Sequence, residues 1–369
     1  MPKKNNRRIN GEGTIYFTES KKLWQAMLTT PAGKRITKAS KSRDIVQDWL
    51  NEQRLAAGRG TLIEPTGITV EQWFKEYLEV YAKNNVRPRS YERYRSLLDH
   101  AQPLYNLKLT AVLPAHLQAL YNALIKDLSS QTVKHIHFCM SGAFKQAIVN
   151  NLIRVNPCTN VKTPSVKQEE VQIFTDDEIR LLLEEAKHHR NYPIVLLAYT
   201  TGMRLSEILA LTVKDINLKT HTVDINKTVH RSMDKGIYFS EPKNKTSKRR
   251  ITLPLEAIQC IKEHLKSISS INPDQQLFTT PDGRSYHASS YTCTIFKAIR
   301  HNTGIDKSFK CFRHTHASML LRAGIPVQDV SRRLGHAKIS TTLDIYSHCL
   351  PSADIIVADR ISELMQNIR

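Results

Sequence analysis

Residues 310–348 read KCFRHTHASMLLRAGIPVQDVSRRLGHAKISTTLDIYSH. Lys310-Cys-Phe-Arg-His-Thr-His316 opens a helix, Leu334-Gly-His336 closes one at a glycine, and Tyr346 follows ten residues later. Glycine is the common helix stop because it takes the left-handed backbone with no Cβ in the way. Upstream, Thr200-Thr-Gly-Met-Arg-Leu-Ser-Glu207 uses the same device: Gly202 ends a helix, and Arg204 stands at the opening of the next. Taken singly, each of these side chains is weak, since an arginine at a helix end or one tyrosine among 13 is usually structural.

The rest of the third domain, residues 170–369, extends the helical pattern. Phe174, Thr175, Glu178 and Ile179 form a capping box with a hydrophobic staple, which fixes a helix start. Between Thr222 and Leu253 the runs Thr222–Ile225, Gly236–Phe239 and Arg250–Leu253 predict one small antiparallel sheet. In the tail, Ile355, Ile356, Ala358, Ile361 and Leu364 make an apolar stripe that predicts a helix. Before this domain, Asn156-Pro157 and Thr163-Pro164-Ser165 read as a linker. Residues 68–160 are helical throughout: a capping box at Thr69 and Gln72, then patterns over 90–98, 114–125 and 130–152, with Arg87, Arg89, Arg93 and Arg95 clustered at the second helix. A further linker is expected at Ala57–Gly60 and Pro65–Gly67. The front, residues 1–60, carries β-like runs at 13–17, 23–28 and 34–38 and a helix from Ser42, so a three-stranded sheet is covered on one face and left polar and basic on the other. The fold class is mainly α with small β-sheets, in three domains.

Composition agrees with this and narrows the class. At 369 residues and about 150 per domain, two or three domains are expected. Lys+Arg 54 against Asp+Glu 34 leaves +20, which attracts a polyanion, and residues 1–60 alone hold 13 Lys/Arg against 5 Asp/Glu. Nucleic acid is the first candidate partner. The longest apolar run, Ile194 to Tyr199, is far below the roughly 20 residues needed to span a membrane. The basic start MPKKNNRR leads into Ile9, Asn10, Gly11 and Glu12 and not into an apolar stretch, so no secretory signal is read and a cytoplasmic protein is expected. Six cysteines with no CxxC pair read as reduced, mostly buried thiols.

Most enzyme chemistries lack their motif: there is no GxSxG, HExxH or GxxxxGK[ST], and no GxGxxG between a strand and a helix. No cofactor is expected. The pairs His135/His137 and His314/His316 are spaced i,i+2, face different sides of a helix and predict no metal. What remains is a set of cations and one tyrosine. In this order, TTGMRLSEIL, KCFRHTHASMLLRAGIPVQDVSRRLGH and STTLDIYSH resemble the tyrosine recombinase family, in particular the phage and conjugative-element integrases. The middle segment resembles that family's helical core-binding domain, and the front its sheet-plus-helix arm-binding domain.

The resemblance implies a site-specific recombinase that integrates and excises a mobile element through a 3′-phosphotyrosyl intermediate and a Holliday junction. Arg204 and Arg313 would clamp the phosphate, His336 would hydrogen-bond it and Tyr346 would attack it. The general acid would be Lys245 in the turn before the Arg250 strand, or else Lys243. The chemistry suits these side chains: guanidinium forks match a phosphate whose charge grows in the transition state, and a phosphotyrosine keeps the bond energy for rejoining without ATP. Glu207 is placed to orient Arg204. One position departs from the family pattern: Lys310 stands where histidine is usual, three before Arg313, and His314 is out of register. A histidine near pKa 6.5 takes a phenol proton at neutral pH and a lysine near 10.4 does not, so Lys310 is expected to act as a further phosphate-binding cation. The implied partners are double-stranded DNA at core and arm sites, further copies in a homotetramer, and an excisionase or a host DNA-bending protein; the implied location is the nucleoid of a bacterial host. Two rival readings are a type IB topoisomerase and a DNA-binding regulator that has lost catalysis.

Overall fold

The structure, a computed structural model, describes residues 12–30, 33–60, 62, 67–166, 170–242, 244–268, 272–346, 361, 362, 365 and 366. Strands β1 (Thr14–Thr18), β2 (Leu23–Thr29) and β3 (Arg35–Ser40) precede helices α1 (Arg43–Gly58), α2 (Val70–Glu76), α3 (Pro88–Asp99), α4 (Pro114–Leu124) and α5 (Ser130–Val149). Then come α6 (Asp176–Lys187), α7 (Tyr192–Thr201), α8 (Leu205–Ile208), β4 (Ile216–Asn217), β5 (Thr222–Ile225), β6 (Thr228–Ser232), β7 (Gly236–Ser240), β8 (Arg249–Thr252), α9 (Leu255–Lys266), α10 (Ala288–Cys293), α11 (Ile295–Thr303), α12 (Cys311–Arg322), α13 (Val327–Leu334) and α14 (Ile339–Tyr346). The chain divides into two compact units, Met1–Lys167 and Gln168–Arg369. Mainly helical, with small antiparallel sheets, it has the expected fold class.

In the first unit the sheet runs β1-β2-β3, with Ala26 opposite Ile15 and Lys38. Ala26, Leu28 and Ile36 point to one face, where Val46 and Leu50 of α1 cover them. By the alternation of strand side chains, Thr14, Tyr16, Gln25, Met27, Arg35, Thr37 and Ala39 share the other face. That corrects the expectation of a basic face: it is polar with one cation, Arg35, among the described residues, because the lysines at 21, 22 and 34 fall at strand ends. The expected linker at 57–60 is also corrected, since α1 runs to Gly58; Pro65 and Thr66 lie outside the described residues.

The middle helices build a separate core from Trp73, Phe74, Leu98, Tyr121, Met140 and Phe144. The Thr69 hydroxyl accepts from the Gln72 N–H while the Gln72 side chain accepts from the Thr69 N–H, the capping box read from the sequence. Asn156 and Pro157 are not a linker: both are buried, and Asn156 donates to the Ser141 carbonyl at 3.1 Å. Within this unit, Arg154 donates to Gln53 and Asn151 to the Gly60 carbonyl, tying the front segment to the helices.

The second unit is organised by α7, whose Ile194, Val195, Leu197 and Ala198 are sealed from solvent. The predicted single sheet is in fact two. β8 pairs with β5 and β5 with β4, whereas Gly236–Ser240 pairs with Thr228–Ser232 as a separate hairpin. Strand propensity marks which residues are extended but not which edge they meet, and β6, with His230 and Arg231 interrupting its alternation, gave no clear signal. No described helix is long and apolar enough to cross a membrane. Of the tail stripe, Ile361 is helical and exposed; Ile355, Ile356, Ala358 and Leu364 lie outside the described residues.

Candidate active site

Three helix ends meet around the predicted cations. α7 stops at Gly202 (φ 65°), and an added Cβ there would stand 2.7 Å from His316 Cδ2 and 2.8 Å from Leu334 Cδ2. Only glycine therefore satisfies both the left-handed turn and the close approach of α12 and α13. The turn aims the Gly202 carbonyl at Arg313, whose Nη1 donates to it at 2.8 Å, while Nη2 donates to the Leu334 carbonyl at 2.7 Å. Arg313 is thus fixed by the two carbonyls that end α7 and α13, and is only 7% exposed. Two of its five N–H groups are spent on these bonds, leaving others for a ligand.

Arg204 caps α8 and remains open, its side chain 42% exposed. Glu207 accepts from the Arg204 guanidinium at 2.8 Å and from its backbone N–H at 3.1 Å, the i,i+3 pairing expected from the sequence. The same carboxylate accepts from Arg249 Nη2 at 2.9 Å. Burial alone would raise the Glu207 pKa, but the charge and hydrogen bond of Arg249, and then Arg204, outweigh it and hold the group ionised below its ordinary value. Arg249 also donates to the carbonyls of Arg333 and Ser247. It was not singled out in the sequence, where Lys248, Arg249 and Arg250 look alike; only β8 pairing turns Arg249 inward.

Burial first, and then the charge of Arg204, push the Arg313 pKa below that of a free guanidinium. His336 is lowered to about 4 by burial, Arg313, Arg204, Arg249 and His314 in that order. These mutual effects place Arg204, Arg249, Arg313 and His336 in one field, with cations in excess over the Glu207 carboxylate. Such a cluster is a receptor for an anion. His336 Nδ1 lies 2.8 Å from the Thr342 hydroxyl; accepting that proton leaves the neutral ring with an Nε2–H to offer a phosphate oxygen.

Tyr346 lies on α14, packed on Ala317, Leu321, Val330 and Leu334 and 1% exposed. Ala317 and Leu321 belong to α12, the helix that carries Arg313. The Tyr346 hydroxyl is 2.7 Å from Nδ1 of His314, the residue set aside in the sequence as out of register. The missed signal was helical: His314 is i+4 from Lys310, hence on the same face one turn further on. Lys310 itself is the exposed N-cap of α12. Of Lys245, the backbone opens a single 3₁₀ turn, Lys245–Ser247, just before β8; Lys243 lies outside the described residues. His316, the other half of its pair, lies 2.8 Å from the Tyr199 carbonyl and accepts from Arg333.

The chain matches the phage integrase family over residues 172–352 and the phage integrase N-terminal SAM-like domain over residues 69–125. It is 29% identical over 325 residues to a XerC-like tyrosine recombinase of Caldanaerobacter subterraneus subsp. tengcongensis, covering 81% of this chain and 83% of that protein. An integrase of Streptomyces ambofaciens is 24% identical, covering 92% and 93%. Among solved structures, the Tn1549 transposon integrase in complex with a circular intermediate DNA shares the fold with a TM-score of 0.69 at 21% identity, over 80% of this chain and 99% of that one. With its two family matches spanning both the helical segment and the cation cluster, the chain belongs to the phage integrase family of tyrosine recombinases and is a site-specific DNA recombinase of phage and conjugative-transposon type.

Proposed function

We propose that Arg204, Arg313 and His336 bind the scissile phosphate of a DNA attachment site and that Tyr346 attacks it. The observation that carries this assignment is the Tyr346 hydroxyl 2.7 Å from Nδ1 of His314, the residue that follows Arg313, whose guanidinium is held by the Gly202 and Leu334 carbonyls. The tyrosine oxygen bonds to phosphorus, the 5′ oxygen leaves with a proton from Lys245, and the 3′ end stays on the protein until another 5′ hydroxyl attacks. Lys310 adds a cation at the edge of the phosphate site. Preorganised guanidinium donors cost nothing to reorient as charge builds on the phosphoryl oxygens, so they act on the transition state more than on the ground state. Tyr346 is nearly sealed, so its hydroxyl has to be uncovered before a phosphate reaches it.

The DNA partners are core sites, gripped by both units, and arm sites, bound by the front sheet. Four copies would exchange strands in pairs through a Holliday junction, the state in which a lambda integrase tetramer has been solved. An excisionase or a host bending protein would set direction, and the working location is the bacterial nucleoid.

The test is covalent trapping. Nicked duplexes tiled across the DNA flanking the chain's own gene are incubated with the full chain, and a protein–DNA adduct is expected on one of them, lost in Tyr346→Phe. No adduct on any duplex, or an adduct that survives Tyr346→Phe, sinks the assignment.

A further inference from the structure

Building on that assignment of Tyr346, we propose that His314 is a further catalytic residue, the base that takes the phenol proton onto Nδ1 as the tyrosine attacks. Its Nδ1 already lies 2.7 Å from the Tyr346 hydroxyl, within the reach required of a general base. The ring centroids stand 5.7 Å apart and tilted by 55°, so the contact is edge-on through the hydroxyl and not a stack. The position explains how the site works with lysine at 310. Lys310 and His314 occupy one face of the first turns of α12, and the side chain that is a base near neutral pH stands one turn beyond the side chain that is a fixed cation.

The groups facing His314 are Lys310 and Arg313 from its own helix, Tyr346 from α14 and His336 from the segment after α13. Burial, then Lys310, then Arg313, lower its pKa to about 4, so the ring is neutral and able to accept wherever the phenol is protonated. A bound phosphate adds negative charge beside Lys310 and Arg313. It thereby cancels the two charges that hold the imidazole down and raises its basicity when the proton has to move. The step balances: the Oη–P bond forms, the P–O5′ bond breaks, the phenol proton passes to His314, and the 5′ oxygen takes its proton from the general acid assigned to Lys245. On rejoining, the incoming 5′ hydroxyl attacks phosphorus and gives its proton to Lys245, the P–Oη bond breaks, and His314 returns its proton to Tyr346.

The experiment uses the full chain on the duplex that traps the adduct, in single turnover. His314→Ala should slow adduct formation by about 10²-fold with DNA binding unchanged, the loss typical of one proton-transfer group. His314→Gln, which fills the same space and hydrogen-bonds without taking a proton, should lose as much and serves if the alanine variant misfolds. A fluorotyrosine at position 346, whose phenol is more acidic, should restore about tenfold or more of the rate in either His314 variant and change the natural chain little. A 5′-bridging phosphorothiolate duplex, whose thiol leaves without a proton, should rescue Lys245→Ala but neither His314 variant. Full-rate or faster cleavage by the His314 variants overturns the proposal, faster cleavage making the contact a latch. So does a loss that fluorotyrosine leaves untouched, which would be packing alone. In each of those outcomes a Tyr346→Phe chain that forms no adduct keeps the nucleophile assignment intact, whereas an adduct on that chain sinks the assignment itself.

Discussion

Arg249 and Glu207 form an ion pair 2.9 Å long in which the arginine side chain is 6% and the carboxylate 1% exposed. The pair joins β8, which follows the Lys245 turn, to α8, which begins at Arg204. It thus couples the backbone carrying the assigned general acid to the guanidinium assigned to the phosphate. Removing one partner of a buried pair strands a charge, and that typically costs about 3–5 kcal/mol. Arg204 stays in contact with Glu207, so Arg249→Met is expected near the lower end, about 3 kcal/mol by denaturant titration. Glu207→Leu combined with Arg249→Met should recover part of the loss, because no lone charge is left; a double variant worse than the additive sum would refute this account.

Arg204 and Arg313 share an assigned role but sit differently, and substitution should separate them. Arg204 is half open and bonds only through Glu207 among its described contacts, so Arg204→Ala should lower cleavage by about 10² or more with little change in stability. Arg313→Ala removes the donor to two buried carbonyls as well, and should cost stability by about 1–3 kcal/mol besides the same loss of cleavage. Paired measurements of single-turnover cleavage and thermal unfolding check both; equal stability losses at the two positions would contradict the geometry.

What was legible in the sequence was local. Gly202, Gly335 and the Thr175 capping box set helix ends, and helix ends are where Arg204 and Arg313 stand, so the main site residues could be named from motifs a few residues long. What stayed hidden depended on tertiary pairing. Arg249 turns inward only because β8 pairs with β5, and Val229 lies opposite Phe239 only because the second hairpin closes on itself. His314 was hidden for another reason: comparison by position in a motif looks three residues before Arg313, whereas a helix face repeats every three to four residues and brings the next histidine along to the tyrosine.

Lys310 tests the division of labour on α12. As an exposed cation at the helix N-cap it should contribute to phosphate binding through charge, so Lys310→Ala is expected to reduce cleavage by about tenfold and Lys310→Arg to retain most of it, within the range of one charge-assisted contact. Lys310→His should also cleave, since it supplies a second imidazole on the same face. A collapse in Lys310→His with normal folding and DNA affinity would give the lysine a task that neither charge nor base chemistry covers.

The front segment holds 13 of the chain's 54 Lys/Arg, and its sheet has its own small core of Ala26, Leu28, Ile36, Val46 and Leu50. Deleting residues 1–60 should therefore weaken binding to an arm duplex and flatten its dependence on salt, since each lost phosphate contact lowers the slope by about one. Cleavage of the core duplex should persist. Loss of core cleavage in a folded truncated chain would mean that the hydrogen bonds from Asn151 and Arg154 to the front segment hold the helices in shape.

The acid side of the stability profile follows from three histidines on or beside α12. His314, His316 and His336 are each lowered to about 4, in every case by burial first and then by neighbouring arginines or Lys310. The ordinary value in the unfolded chain is about 6.5, so between pH 4 and 6.5 the unfolded state binds protons that the folded state refuses. Stability is then full above about pH 6.5, falls as the pH drops through that window and levels off for these groups below about 4, with a slope steepened by up to about one proton for each histidine. Thermal unfolding from pH 8 to 4 should show this decline. His316→Gln, at the most enclosed of the three, should make the slope shallower by up to about one proton. A variant with an unchanged slope would mean that His316 is as free to protonate in the folded chain as in the unfolded one.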